Sequence, residues 1–226
     1  MKPYFKSPFI LLILAVTTTQ CQKDKNQTYI NITDEGFLQD LIYWGVDRDH
    51  DGKISVEEAE NCTQLILGGE ISYEGYVWNC TSRKGIYSLQ GIESFSNLER
   101  LTIWCTHLQS IDLGKNTKLK YLSCFENFLQ HIDISGCYEL EEISCSGNQL
   151  THLDLSNNLN LIYLDCSDNP ISNLDISINT MLEYIFLKDM SYLEAVCTWE
   201  IPFPPPGIEV DISNSPNVYF TTDCSK

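Results

Sequence analysis

The feature that most constrains the fold is a 21-residue period of apolar residues in the second half of the chain. The first half of each unit carries three apolar positions, seen in the first unit as Leu98, Leu101 and Ile103. The second half of each unit carries three more with the same spacing. One unit cannot bury its apolar edge alone, so the period predicts stacked units whose strands pair in parallel at about 4.8 Å.

The repeating unit has the pattern L-x-x-L-x-(C/L/I)-x-x-N-x-L-x-x-(L/I)-D-(L/I), and it resembles the short, cysteine-containing bacterial leucine-rich repeat. The resemblance covers roughly residues 86–197 and implies an α/β-type repeat solenoid dominated by short parallel strands, with the repeats over 96–197. Asn127, Asn148 and Asn169 share one repeat position, where such solenoids turn the side chain inward to pair backbone groups. The second half-unit predicts a second, weaker column of strands.

Both ends of the repeat region differ from the pattern. Residues 63–95 are rich in glycine and are interpreted as an N-terminal cap with a first irregular repeat, in which Leu65 and Leu67 start a strand. The proline-rich segment 201–206 is expected to stop the repeats, because proline lacks the backbone donor that a ladder needs. Residues 198–226 are therefore predicted to form a C-terminal cap with short covering strands near 208–211 and 218–221.

A twelve-residue segment ahead of the repeats, Asp47–Glu58, resembles the calcium-binding loop of an EF-hand, within a helix–loop–helix over 36–62. Its alternating acids supply the oxygen ligands that a hard cation needs, and Gly52 permits the sharp turn. The expected calcium ligands are Asp47, Asp49, Asp51, Lys53 through its carbonyl, Ser55 and Glu58. EF-hands usually occur in pairs and the sequence offers no second loop, so we expect weak affinity and a mainly structural ion. A calcium-responsive regulator, whose loop gates partner binding, is the alternative.

The N-terminus is typical of an exported protein. Residues 1–20 combine an early positive charge with the apolar run Phe9–Val16, which is too short to span a bilayer and predicts a signal peptide. Cys21 resembles the lipid-modified cysteine of bacterial lipoproteins, and residues 21–35 are interpreted as a lipidated tether. Together with the calcium loop and the repeats, this resembles Bacteroidota-type surface lipoproteins. It implies an outer-membrane or cell-surface location with membrane contact through the lipid only; an ordinary secreted protein is the alternative.

The charge and the missing motifs exclude other classes of function. With 31 acidic and 14 basic residues the formal charge is −17, which argues against nucleic-acid binding because phosphates require a basic surface. No phosphate-binding loop, nucleophile elbow or zinc-protease motif occurs, so a catalytic role is not expected.

The ten cysteines fall into distinct groups. Cys124, Cys145 and Cys166 lie on the apolar ladder and are predicted to be buried small hydrophobic residues rather than zinc ligands. Disulfides are possible in an exported protein, and we expect Cys62–Cys80 and Cys197–Cys224. Cys105 and Cys137 have no assignment from the sequence.

The outward positions of the first half-unit suggest a recognition surface for a protein or a glycan on a monomeric chain. Exposed aromatic residues are favoured at such surfaces, although they are also common strand formers with no partner. The expected partner-binding residues are Trp104, Tyr121, Phe125, Tyr163, Tyr184 and Phe186. A carbohydrate-handling accessory protein is a weaker alternative.

Overall fold

A computed structural model describes residues 27–68, 70–71, 78–79 and 85–224. The repeat region is a solenoid of parallel β-strands with about six turns and a 21-residue period, as the sequence predicts. Each coil of the solenoid contributes one short strand to a continuous sheet. Its remaining residues form β-turns and, in several coils, a strand of a second column that has fewer strands.

One side of the solenoid is a seven-stranded parallel sheet. In spatial order, its strands are β1 Gln64–Gly68, β4 Arg100–Trp104, β6 Tyr121–Ser123, β8 Glu142–Ser144, β9 Tyr163–Asp165, β11 Tyr184–Phe186 and β13 Glu209–Asp211. Register follows the period, so Leu122 pairs with Leu101 on one side and Ile143 on the other. The middle residue of each three-residue strand points inward and continues the apolar ladder that Leu65 of β1 and Leu101 of β4 begin.

The other side carries the predicted second column, but it is interrupted. Strands β5 Ser110–Asp112 and β7 His131–Asp133 pair in parallel, and β10 Asn173–Asp175, β12 Ala195–Cys197 and β14 Tyr219–Thr221 form a separate three-stranded sheet. Residues 152–155, between the two groups, are not in a strand. This column is therefore the weaker of the two, as expected.

The core lies between the two strand columns and is continuous along the solenoid. Leu101, Leu164 and Ile185 are fully buried, and each such side chain contributes roughly 1.5–3 kcal/mol. The thiols of Cys124, Cys145 and Cys166 are also fully buried and unbridged, which confirms that they act as core residues. Burial raises the pKa of the Cys124 thiol to about 12, so these thiols stay protonated.

The predicted asparagine ladder is present and pairs the backbone between neighbouring turns. The Asn148 Oδ1 accepts the N–H of Leu129 at 3.0 Å, and its Nδ2 donates to the carbonyls of Cys124 and Cys145 at 2.9 and 3.0 Å. Asn169 makes the equivalent bonds, and Asn127 donates in the same way, but its Oδ1 accepts the N–H and the hydroxyl of Thr106 in the first repeat. At the C-terminal end the shorter Ser215 takes over: its hydroxyl accepts from the N–H of Met190 and donates to the carbonyl of Leu187.

A second buried column, which the sequence analysis missed, explains Cys137. Asn116, Cys137, Asn158 and Asn179 are spaced by 21 residues. The amides of Asn158 and Asn179 each donate to two carbonyls of the preceding turn, and the Cys137 thiol donates to the Leu113 carbonyl at 3.3 Å. Cys137 therefore replaces an asparagine in a backbone-pairing column.

The N-terminal helices pack onto the first turn of the solenoid and share its core. Helix α1, Glu35–Tyr43, begins at Asp34, whose Oδ1 accepts the N–H of Phe37 at 2.8 Å. Helix α2, Val56–Glu60, begins with a capping box formed by Ser55 and Glu58. Strand β1 then pairs with β4, which confirms the strand predicted around Leu65 and Leu67.

Three further elements complete the N-terminal part. Strands β2 Glu70–Ile71 and β3 Trp78–Asn79 form an antiparallel pair, and a short 3₁₀ helix spans Ile92–Ser94. In the part of the chain that the structure describes, no helix has the length and apolar character that crossing a membrane would require. Residues 1–26, which include the expected signal peptide and Cys21, lie outside the described residues.

The two strands predicted near 208–211 and 218–221 are present as β13 Glu209–Asp211 and β14 Tyr219–Thr221, but the prediction that the proline-rich segment stops the repeats was wrong. Strand β13 pairs with β11 and β14 pairs with β12, so a further turn follows the prolines. Residues 201–206 form no strand, so the ladder does not need the N–H groups that prolines lack. The Phe203 ring packs between Trp199 and Phe220, at centroid distances of 5.1 and 4.9 Å.

The two predicted disulfides had different outcomes. Cys197 and Cys224 are bonded, which ties the end of the chain to β12. Cys62 is a free cysteine whose thiol donates to the carbonyl of Gln64 at 3.2 Å, so the bridge expected to Cys80 was wrong. Cys80 itself lies outside the described residues. Cys105, unassigned from the sequence, is disulfide-bonded.

Candidate functional site

Three of the predicted calcium ligands come together in the loop between α1 and α2. One carboxylate oxygen from each of Asp47, Asp49 and Glu58 lies within 4.8 Å of the other two. Asp47 and Glu58 are buried, with 2% and 7% of their surfaces exposed. Clustered carboxylates repel one another unless a cation lies between them, and an all-oxygen set suits calcium better than zinc.

Backbone N–H groups hold these carboxylates in place. Asp47 accepts the N–H groups of Asp51 at 3.2 Å and of Gly52 at 3.0 Å. Glu58 accepts from the N–H of Arg48 at 2.7 Å through one oxygen, and from the N–H and hydroxyl of Ser55 at 2.8 Å each through the other. The loop turns at Gly52, whose φ of 83° favours glycine. The ligand oxygens are thus oriented by the loop's own backbone.

The electrostatics of the loop disfavour charge on Asp49. Burial, followed by the neighbouring carboxylates of Asp51, Glu58 and Asp47, raises the pKa of Asp49, while a hydrogen bond from the Asp51 backbone opposes the shift. A carboxyl whose pKa is raised on folding stabilises the fold only at low pH, and this contribution is lost as pH rises through the folded pKa. At neutral pH the metal-free loop therefore carries a cost that a bound cation would remove.

The other three predicted ligands have different surroundings. The Asp51 Oδ1 accepts the N–H of Lys53 at 3.0 Å, and its Oδ2 accepts the hydroxyl of Tyr29 at 2.6 Å. The Lys53 ammonium lies over the Tyr29 ring, 4.7 Å from its centroid. The Ser55 hydroxyl is used in the capping box with Glu58. Asp51 and Ser55 are therefore held beside the three-carboxylate cluster by bonds of their own.

The N-terminal segment before α1 is part of this site, which the sequence analysis missed. Tyr29 forms an antiparallel bridge with Ser55, although residues 21–35 were expected to be a tether. Ile30 and Ile32 pack against the core, and Asp34 accepts the N–H groups of Tyr87 and Ser88 at 2.8 and 3.0 Å. The alternation of apolar and polar residues from Tyr29 to Ile32 is the sequence signal that could have revealed a strand.

The second candidate site is the outward face of the seven-stranded sheet. At its C-terminal end, the Tyr163 ring lies 6.5 Å from the Tyr184 ring and 5.4 Å from the Phe186 ring. Tyr184 is 42% exposed. Burial, followed by the charges of Asp165 and Glu142, raises the pKa of Tyr163 to about 12. These three rings form an aromatic surface that is partly open to solvent.

The N-terminal end of the face differs from the prediction. The Trp104 and Phe125 rings lie 6.3 Å apart, but Trp104 is only 5% exposed, so its expected role as an exposed contact was wrong. The guanidinium of Arg100 lies 3.9 Å from the centre of the Tyr121 ring. Between the two aromatic groups, Ser123, Ser144 and Asp165 pair across adjacent strands. The centre of the face is therefore polar and carries small side chains.

Comparison with known proteins places the fold. No family model matches the chain, and neither does any curated protein sequence. The chain is similar to the functional domain of InlJ from Listeria monocytogenes, which includes a cysteine ladder, with 25% identity over 75% of this chain and a TM-score of 0.51. It spans 41% of the length of that domain.

Two other bacterial structures are also similar. Internalin C2 from Listeria monocytogenes shares 15% identity over 89% of this chain and all of its own length, with a TM-score of 0.46. A leucine-rich-repeat protein from Leptospira interrogans shares 18% identity over 73% of this chain and 49% of its own, with a TM-score of 0.45. Together with the buried column of Cys124, Cys145 and Cys166, the similarity to the InlJ domain identifies the fold as a bacterial leucine-rich-repeat solenoid.

Proposed function

We propose that this chain is a calcium-binding, surface-tethered leucine-rich-repeat protein that binds a protein or glycan partner, with calcium in a mainly structural role. The observation that carries the calcium proposal is the convergence of Asp47, Asp49 and Glu58 oxygens within 4.8 Å. The tether is proposed from Cys21 and the residues before it, and the proposal involves no catalysis.

The position of the loop supports a structural role for the ion. Helix α1 enters the loop and helix α2 leaves it, and Phe37, Leu41 and Ala59 of these helices are fully buried in the core shared with the repeats. The Asp40 carboxylate of α1 also accepts the N–H of Gly68 at the end of β1, at 2.7 Å. An ion that orders the loop would therefore stabilise the cap of the solenoid.

Calcium should stabilise the mature chain, residues 22–226. For dissociation constants of about 10⁻⁴–10⁻³ M, typical of extracellular modules, 10 mM calcium would add about 1.4–2.7 kcal/mol to the free energy of unfolding. The melting temperature should rise by about 3–10 °C. Calorimetric titration, with thermal melts at each calcium concentration, measures both quantities. Absence of binding up to 10 mM calcium would contradict the calcium proposal.

Asp49→Asn separates a ligand role from a packing role. The amide oxygen can still accept the N–H of Asp51, which lies 3.1 Å from the Asp49 Oδ1, but the charge is removed. Because the pKa of Asp49 is raised, we expect the metal-free variant to melt no lower than the wild type, while calcium binds at least tenfold more weakly. Asp47→Ala should lose calcium binding, and it should also lower metal-free stability because two backbone N–H groups lose their acceptor.

The partner proposal rests on the aromatic surface formed by Tyr163, Tyr184 and Phe186. Tyr184→Ser should weaken capture of a ligand at least fivefold, because an exposed tyrosine of an interface is often worth more than 1 kcal/mol. The melting temperature should not change, since Tyr184 is 42% exposed. Ligands would come from panels of glycans and purified proteins, with Tyr192→Ser, 67% exposed, as the matched control. Equal capture by both variants would contradict this surface.

A calcium-responsive regulator is the second candidate. It is favoured by the bridge between Tyr29 and Ser55, which connects the loop to a segment outside the helix–loop–helix. The calorimetric dissociation constant distinguishes the two: micromolar affinity supports a regulator, and submillimolar affinity supports a structural ion.

A further inference from the structure

We infer that the segment 28–30 completes the single calcium loop as a pairing strand, and that Tyr29 is a positioning residue for the ligand Asp51. The inference rests on the proposed calcium site and adds to it a regulated element, the N-terminal segment of the same chain.

The first step is the backbone pairing. The Ile30 N–H donates to the carbonyl of Ile54 at 2.8 Å, and the Val56 N–H donates to the carbonyl of Thr28 at 2.9 Å. These two bonds enclose Ser55 and fix the part of the loop that leads from the turn into α2. The segment thus serves as an antiparallel strand partner for a calcium-type loop that has no second such loop to pair with. It contributes no acidic residue of its own.

The second step is the orientation of Asp51. Its Oδ2 accepts the Tyr29 hydroxyl at 2.6 Å, while its Oδ1 accepts the N–H of Lys53 at 3.0 Å. Rotation of the carboxylate would break one or both bonds, so its plane is fixed. Oδ1 has a second lone pair and can still face a cation. The Lys53 ammonium over the Tyr29 ring helps to keep the ring in this position.

The third step couples the ion to the N-terminal segment. Residues 30–34 also anchor the segment to the rest of the protein: Ile30 and Ile32 pack against the core, the Thr33 hydroxyl bonds to Gln90 at 2.9 Å, and Asp34 accepts the N–H groups of Tyr87 and Ser88. Because binding energies are reciprocal, a segment that strengthens calcium binding is itself held more firmly when calcium is bound. Calcium would therefore control how firmly the segment 28–30 is held against the loop.

The test is Tyr29→Phe in the mature chain, which keeps the ring and removes the hydroxyl. We expect the calcium dissociation constant to rise about tenfold, the effect typical of removing a partner that orients a metal ligand. Tyr138→Phe, a change at an exposed tyrosine in the repeats, is the matched control and should leave the constant unchanged. Circular dichroism and metal-free melting would establish that both variants fold as the wild type does.

Hydrogen exchange of the Ile30 and Val56 amides gives a second measurement that does not depend on the calcium dissociation constant of the variant. In the wild type, calcium should slow the exchange of both amides at least fivefold, and in Tyr29→Phe by less. Two results would overturn the inference while the calcium proposal stands, provided that the wild type binds calcium. One is a dissociation constant of Tyr29→Phe within twofold of the wild-type value, and the other is no effect of calcium on the exchange of either amide. If the wild type binds no calcium, both fail.

Discussion

Asn148→Ala should lower the free energy of unfolding by about 2–4 kcal/mol, because it removes four hydrogen bonds and leaves the buried N–H of Leu129 without a partner, while the three carbonyls keep one donor each from Asn127, Asn169 and the N–H of Glu126. The lost bonds join Asn148 to the N–H of Leu129 and to the carbonyls of Cys124, Cys145 and Ser146. Asn148 is 7% exposed, so water would not replace these bonds without opening the solenoid. Chemical denaturation followed by circular dichroism measures the change.

Two further variants define the origin of this loss. Asn157→Ala changes an exposed asparagine of the adjoining turn and should alter stability by less than about 0.5 kcal/mol. Asn148→Asp keeps an acceptor for Leu129 but loses the donors and buries a charge, so it should cost at least as much as alanine. A loss of less than about 1 kcal/mol for Asn148→Ala would mean that the ladder contributes little to stability.

The geometry of the repeats could be predicted because every stacked unit meets the same physical requirement. Each turn must bury the same edge, so the positions of Leu101, Leu122 and Ile143 imply a strand, its direction and its register. The inward role of Asn148 followed from the resemblance of its repeat position to that of leucine-rich repeats. The column of Asn158 and Asn179 was missed because Cys137 interrupts its pattern and because polar residues in turns are usually exposed.

The parts that do not repeat were predicted less well. Whether the repeats resume after the prolines depends on whether the prolines fall inside a strand or between strands. The 21-residue period does not show where extra residues are inserted between two repeats. Likewise, the burial of Trp104 depends on what covers one end of the sheet, which strand alternation does not determine.

The calcium loop shows the same limit. The expected ligand set was predicted from the spacing of the acids, and the structure brings three of these carboxylates together. The pairing of Tyr29 with Ser55 joins residues 26 positions apart that share no motif, so the sequence analysis assigned that segment to a tether.

Gly68→Ala should cost about 4 kcal/mol, the sum of backbone strain and a clash between β1 and β4. Gly68 has a φ of 104°, a conformation that side chains other than glycine rarely adopt. A Cβ there would overlap the carbonyl oxygen of Trp104, which is backbone and cannot rotate away. The same residue donates its N–H to Asp40 of α1, so the substitution affects the place where helix α1 joins the repeats.

Gly207→Ala separates the cost of backbone strain from the cost of the clash between β1 and β4. Gly207 has a similar φ of 97°, but a Cβ there would meet nothing within 4 Å, so only backbone strain of about 1–3 kcal/mol should appear. The difference between the two variants, measured by chemical denaturation, is then the cost of pushing β1 away from β4. Because α1 and β1 share one core with the repeats, hydrogen exchange in Gly68→Ala should show α1 and β1 opening before strands β6 to β11. Equal losses for both glycines, with uniform exchange along the chain, would mean that α1 and β1 do not depend on the contact between β1 and β4.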